Sequence, residues 1–217
     1  MALLLAEELA LLAYNDETGK PAVNVYLPYG LGGALLAELA LASKVTLDAK
    51  RVQLTDGSST GDDLLDDAVG RIAAHPGRRP RWYVERLRKG VREAVVRRLV
   101  ATGVLREESG RTLLVFPTTV YPAADPRPEQ EVRQRLNTAV AAGARPDERT
   151  VALAVLVHAC QLDKLVFTTV SGRELRDRLN QLTESDWAGK ATRQAIQAVQ
   201  AATLAAVAAG GAAGSGS

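Results

Sequence analysis

Apolar residues along this chain recur mostly at helical spacing, and one stretch, Leu27 to Leu41 (LPYGLGGALLAELAL), is apolar on nearly every side. Pro28, Tyr29 and Gly30 read as a turn and Gly32-Gly33 as a tight pair. Ala34, Leu35, Leu36, Leu39, Ala40 and Leu41 then cover most of a helix whose only charge is Glu38. No face of such a helix suits water, so it belongs inside a core. The glycines fit close packing of the backbone better than a phosphate loop, since no Lys-Ser/Thr pair follows them.

The remaining pattern surrounds that helix. Leu3 to Ala13 reads as a first helix ending in the turn-rich run Asn15 to Pro21, and Ala22 to Leu27 as a short β-like segment. Lys44 to Leu54 alternates about Asp48-Ala49-Lys50 and predicts a hairpin. Thr60 is the expected cap of a helix striped by Leu65, Val69 and Ile72, with Asp62 and Asp63 favoured at its positive end. Four aspartates here (Asp62, Asp63, Asp66, Asp67) are accounted for by capping and a solvated face, without a metal. Arg81 to Val100 carries Val84, Leu87, Val91, Val95 and Leu99 at helical spacing, and Gly90 divides it in two. Val104-Leu105, a turn at Glu108-Ser109-Gly110 and Thr112 to Phe116 predict a second hairpin; Pro117 to Pro128, with four prolines, predicts a surface loop.

A helix restarts at 125–128 and buries Val132, Leu136 and Val140. Asp147 caps a second core helix, Glu148 to Cys160, whose middle is wholly apolar. Leu165 to Val170 is β-prone, Ser171 to Glu174 is a capping box, and an alanine-rich helix runs from about Ala188 to Ala209. The expected fold is mainly α: a single domain over 1–209, with a central apolar helical bundle surrounded by amphipathic helices and small β-hairpins. A flexible Gly/Ala/Ser tail is expected over 210–217.

Composition narrows the chemistry. The 217 residues are 47% hydrophobic but only 4% aromatic, so the core is built from Leu, Val and Ala. Net charge is +2, which offers no bulk attraction for nucleic acid. Between Arg78 and Arg98, however, nine cations face only Glu85 and Glu93, a local +7 that leaves about −5 on the rest. Trp82 and Tyr83 interleave this run. One cysteine, Cys160, excludes an internal disulfide and any multi-cysteine zinc site, and its setting is that of a buried thiol. His158, in the apolar helix, reads as a hydrogen-bonded structural residue, and no triad, Walker loop or HExxH appears. No catalytic residue, metal or cofactor is therefore expected. Glu7 and Glu8 in the leucine-rich start argue against a signal peptide, and no apolar run spans a bilayer. A cytoplasmic location follows as an expectation. The excess of arginine over lysine and the abundant alanine point to a GC-rich bacterial genome.

The segments LLLAEELALLAYNDETGKP, YGLGGALLAELAL, TGDDLLDDAV, VREAVVRRLVATGVL and EVRQRL occur in an order that resembles the Golgi phosphoprotein 3 family in its shorter bacterial form, over roughly Leu3 to Val207. The resemblance implies a single helical domain. It also implies a peripheral membrane protein: eukaryotic members recognise phosphatidylinositol 4-phosphate and act as adaptors for glycosyltransferases and coatomer. Their headgroup pocket uses a Trp before the opening helix, an Arg within a Gly-Leu-Arg-Gly turn and basic residues on a later helix. The first two positions hold Val23 and Gly32 here, while Arg135 in Arg133-Gln134-Arg135-Leu136 matches the third. Expected headgroup contacts are Arg135, Arg133, Arg81, Arg88 and Arg92. Leu165, Val166 and Phe167 are the counterpart of the family's hydrophobic loop for membrane insertion or self-association, with a buried strand as the alternative. The family's basic leading tail has no counterpart in a match beginning at Leu3, so Golgi function is not carried over. The expected function is non-enzymatic, peripheral binding of anionic lipid headgroups, with protein clients and self-association as further partners. A winged-helix-like DNA-binding regulator and a protein-protein adaptor without lipid binding are the alternatives.

Overall fold

In the computed structural model, which describes residues 3–15, 18–21, 26–112, 116–141, 144–168, 170–184 and 190–214, the apolar stretch forms one continuous helix, α2 (Leu27–Leu41). Pro28 sits in its first turn, where a missing N–H costs nothing, so the expected turn at 28–30 is helix instead. Three other helices close directly on the glycines: α4 (Pro80–Leu87), α7 (Glu148–Ala159) and α10 (Lys190–Gly214). A Cβ at Gly32 would lie 2.7 Å from the Val84 carbonyl oxygen and 2.9 Å from the Arg88 nitrogen, in the backbone of α4 and its cap. At Gly30 it would collide with the Cys160 sulfur, and at Gly33 with the Thr203 hydroxyl. Each glycine weakens helix propensity by about 1 kcal/mol, yet three packed neighbours outweigh that local cost. Cys160 is accordingly buried, which pushes its thiol up to about 12.

The first helix of the chain, α1 (Leu5–Ala13), is buried along its whole length. It carries two carboxylates into the interior, and each meets arginine. Glu7 accepts from Arg98 Nε at 3.0 Å and from the Leu4 amide at 2.7 Å. Arg98 also reaches both oxygens of Asp62, at 2.8 and 2.7 Å. Glu38 of α2 accepts from the Leu5 amide at 2.6 Å and from Arg149, so it ties α1 to α2 and α7.

Asp62, rather than the expected Thr60, caps α3 (Asp63–Ala73), accepting from the Leu64 and Leu65 amides. The Thr60 hydroxyl turns to Asp66 at 2.7 Å instead. Gly90, at φ 74°, separates α4 from α5 (Val91–Ala101) as its position predicts. Then come α6 (Arg127–Ala139), with Pro128 in its first turn, and, beyond α7, α8 (Asp163–Val166) and α9 (Gly172–Glu184).

The strands β1 (Val45–Asp48) and β2 (Arg51–Leu54) pair antiparallel about Ala49 and Lys50, both at positive φ, in a two-residue turn. The second ribbon is shifted from its expected place. Its strands are β3 (Glu108–Thr112) and β4 (Phe116–Val120), so the residues read as a turn are strand and the proline loop starts later. Pro117 is tolerated opposite Arg111 because a two-stranded ribbon leaves one edge of each strand unpaired.

The β-prone segment at 165–170 is also different: α8 closes a helical turn, with the Phe167 amide donating to the Asp163 carbonyl at 2.8 Å. Tertiary burial of Val166 and Phe167 overrides strand propensity there. α10 continues to Gly214, beyond the expected end at 209. Of the β-like segment expected at 22–27, residues 22–25 lie outside the described residues and Leu27 already belongs to α2.

Gly32→Ala should cost about 1–3 kcal/mol in urea unfolding, because the added methyl meets backbone rather than a flexible side chain. Gly70→Ala in α3, where a Cβ meets nothing within 4 Å, should stabilise by about 0.4–1 kcal/mol. Equal effects at the two positions would contradict this packing account.

A second outcome concerns acid. Burial raises the Asp62 carboxyl, but Arg98 and the Leu65 and Leu64 amides outweigh it and hold the group below its ordinary 3.8. The stability from a depressed carboxyl is present above that value and lost as pH falls through the folded one. Asp62→Asn keeps a capping oxygen but surrenders the charge pairing. It should be less stable at pH 7 by roughly 2 kcal/mol, and the gap should narrow below pH 3.8. A gap unchanged by pH would contradict the ion-pair assignment.

Candidate functional site

α4 places its residues by simple helical geometry. Tyr83, Val84 and Leu87 face inward, while Arg81 and Arg86, with Arg78 and Arg79 before the helix and Lys89 after it, are exposed. Tyr83 is fully buried and donates its hydroxyl to the His75 carbonyl at 2.5 Å. Trp82 is half-buried and meets the Tyr83 ring edge-on at 5.2 Å. The Arg86 and Arg78 guanidiniums lie 4.6 and 5.6 Å from its ring centroid, and the His75 ring meets it edge-on at 5.1 Å.

Because Gly32 draws α4 onto α2, Tyr29 in the first turn of α2 emerges beside Arg88, whose guanidinium carbon is 4.6 Å from the ring centroid. The Arg88 Nε is buried with no hydrogen-bond partner. Tyr29, Trp82, Glu85, Arg86, Arg88 and Lys89 line one open cleft of about 470 Å³. Chemically it is an anion site with aromatic walls. Glu85 offsets it in part by pairing with Arg81 at 2.9 Å.

Past Gly90 the chain changes setting. Arg92 donates Nε to the Tyr14 hydroxyl at 2.9 Å and lies over that ring at 5.8 Å. Tyr14 in turn meets Tyr121 edge-on at 6.3 Å. These residues line a separate cleft of about 390 Å³ shared with Glu93, Arg97 and Glu107. Its mixed charges make it a weaker anion site, and partial burial raises the Tyr121 phenol above its ordinary value.

Arg133 and Arg135 lie on α6, away from both clefts in the sequence of elements. Arg133 is paired with Glu129 and donates to the Leu165 carbonyl, so it holds α8 in place. Arg135 Nη2 is 2.9 Å from Glu8 Oε1, an ionic contact outside hydrogen-bond alignment, and Arg149 Nε lies 3.6 Å from the other oxygen. Burial pushes the Glu8 carboxyl up despite both arginines. Arg135 also lines an open cleft of about 530 Å³ with Gln134, Arg145, Asp147 and Thr150.

The five expected headgroup arginines therefore do not form one site. Arg81 lies on α4 and Arg88 caps it, Arg92 belongs to the Tyr14 cleft, and Arg133 and Arg135 serve ion pairs of the fold. Gly32, where the resemblance sets an arginine, has no room for any side chain while α4 stays in place. Val23 lies outside the described residues. Of the expected insertion segment, Leu165 is 43% exposed, but Val166 and Phe167 belong to the core. Local sequence places Tyr29 in a turn and gives no signal for its place in the cleft, because its partner Arg88 is remote in the chain. His158 is half-buried and bonded to Asp163 at 3.0 Å, a structural pairing at the end of α7. Among the described residues no group of three or more His, Cys, Asp or Glu is placed to hold a metal ion, and no helix is long and apolar enough to cross a membrane.

Comparison with known proteins supplies a family. A family model described as Golgi phosphoprotein 3 (GPP34) matches residues 5–199. The chain is also similar to vacuolar protein sorting-associated protein 74 of Eremothecium gossypii, at 28% identity over 159 residues, covering 62% of this chain and 48% of that protein. It thus spans about half the length of that relative. These matches do not support the bacterial origin expected from composition.

Proposed function

The chain belongs to the Golgi phosphoprotein 3 family, and on that premise we propose that it is a non-enzymatic protein that docks peripherally on membranes by binding anionic lipid headgroups. The observation that carries this reading is the α4 cleft, where Arg86, Arg88 and Lys89 surround one opening walled by Tyr29 and Trp82. Arg88 is the central contact, since it lines the cleft beside the Tyr29 ring and a guanidinium binds phosphate through charge-assisted hydrogen bonds. Arg81, Arg86 and Lys89 add attraction of about 1 kcal/mol each near an anionic surface. Arg92, Arg133 and Arg135, each already held within the fold, contribute only longer-range charge. Leu165 is the side chain of its segment available for insertion or self-association. Phosphatidylinositol 4-phosphate is the first headgroup to test, and the adaptor role extends the same reading to protein clients.

Co-sedimentation with vesicles tests it. The chain should pellet with phosphatidylserine or phosphatidylinositol 4-phosphate vesicles at low salt, and not with neutral phosphatidylcholine. High salt should release it. Arg88→Ala should weaken pelleting roughly fivefold, and Arg135→Ala by less. No pelleting with any acidic vesicle would remove the proposal. Salt-sensitive retardation of duplex DNA without vesicle binding would move the basic face to the nucleic-acid reading.

A further inference from the structure

We propose that Trp82 is an interfacial anchor: on an anionic bilayer its indole enters the boundary between headgroups and acyl chains, while Arg78 and Arg86 pass from its ring to lipid phosphates. This rests on the membrane reading above and adds the depth and the partner, a bilayer rather than a free headgroup.

Three observations carry it. First, two adjacent aromatics that meet edge-on at 5.2 Å are unequally buried. Tyr83 is buried with its hydroxyl bonded to His75, whereas Trp82 stays half-exposed and lines the α4 cleft. Second, the Trp82 indole is only partly buried and its N–H makes no hydrogen bond to another described residue. A large apolar ring with a free donor matches the layered polarity of a membrane interface, where Trp is enriched.

Third, the cations around it are arranged for a flat anionic surface. Arg78 and Arg86 lie on the ring itself, and Arg79, Arg81 and Lys89 are exposed on the segment around it. In water the two guanidiniums shield the ring through weak cation-π contact. Phosphates bind guanidinium more strongly, as charge-assisted and bidentate hydrogen bonds, so a lipid surface can draw both arginines off the indole. A basic patch that served only to attract charge would have no need of an indole between its arginines.

The test uses the full chain carrying Trp187→Phe, which leaves Trp82 as the sole indole of the two in the sequence. Emission is recorded with phosphatidylserine-containing vesicles that carry brominated acyl chains, alongside pelleting and a soluble inositol phosphate. The expected result is a blue shift and quenching that is strongest for bromines near the headgroups, with neither produced by the soluble phosphate. Trp82→Ala should weaken vesicle binding about tenfold, with Trp82→Phe recovering part of it and thermal melting confirming that both variants fold.

Pelleting without shift or quenching overturns the anchor and leaves the headgroup reading standing. Absence of pelleting removes both. A shift produced equally by the soluble phosphate also overturns the anchor, because the indole would then report headgroup binding in the cleft and not entry into the bilayer.

Discussion

The approach of backbone to backbone along α2 is the constraint on which the structure depends. Gly30, Gly32 and Gly33 remove side chains on successive sides of one helix turn, and α7, α4 and α10 fill the space down to the helix surface. Interiors packed at crystal-like density do not absorb an added methyl group cheaply. The position of α4 is therefore fixed by α2, and with it the meeting of Arg88 and Tyr29. The site is a by-product of how the core is packed.

The second constraint is electrostatic. α1 brings Glu7 and Glu8 into the interior, and a buried carboxylate is tolerable only when its partner arrives with it. Arg98 from α5 and Arg135 and Arg149 from α6 and α7 supply those partners. This divides the basic run that the composition singles out. Arg98 is held by Glu7 and Asp62, Arg92 by Tyr14 and Arg81 by Glu85, while Arg78, Arg79, Arg86 and Lys89 stay exposed where an external anion can reach them. A charge count along the chain overstates the docking surface, because it cannot separate arginines that stitch helices together from those that do not.

Much of the fold was legible. α2 and α7 announced themselves as apolar on all sides, and the break at Gly90 and the cap at Asp147 followed from local chemistry. What failed did so for definable reasons. Pro28 to Gly30 looked like a turn because the residues that pack on Gly30 come from remote positions, whereas the close packing expected of the glycines is what the structure has. The burial of α1 was hidden by its two glutamates, whose arginines lie on later helices. At 165–167 strand propensity gave way to tertiary burial, leaving Leu165 alone outside. The basic-aromatic run marked the neighbourhood of the candidate site, but neither the inward turn of Arg98 nor the part played by Tyr29 is written in local sequence.

The central claim is that the α4 face, not α6, meets the membrane. Hydrogen-deuterium exchange of the full chain, with and without phosphatidylserine vesicles, locates the contact directly. The account predicts slowed exchange confined to residues 78–89 and the first turn of α2, with the amides around Arg133 and Arg135 unchanged. Protection centred on α6 and the start of α7, with none on α4, would contradict it.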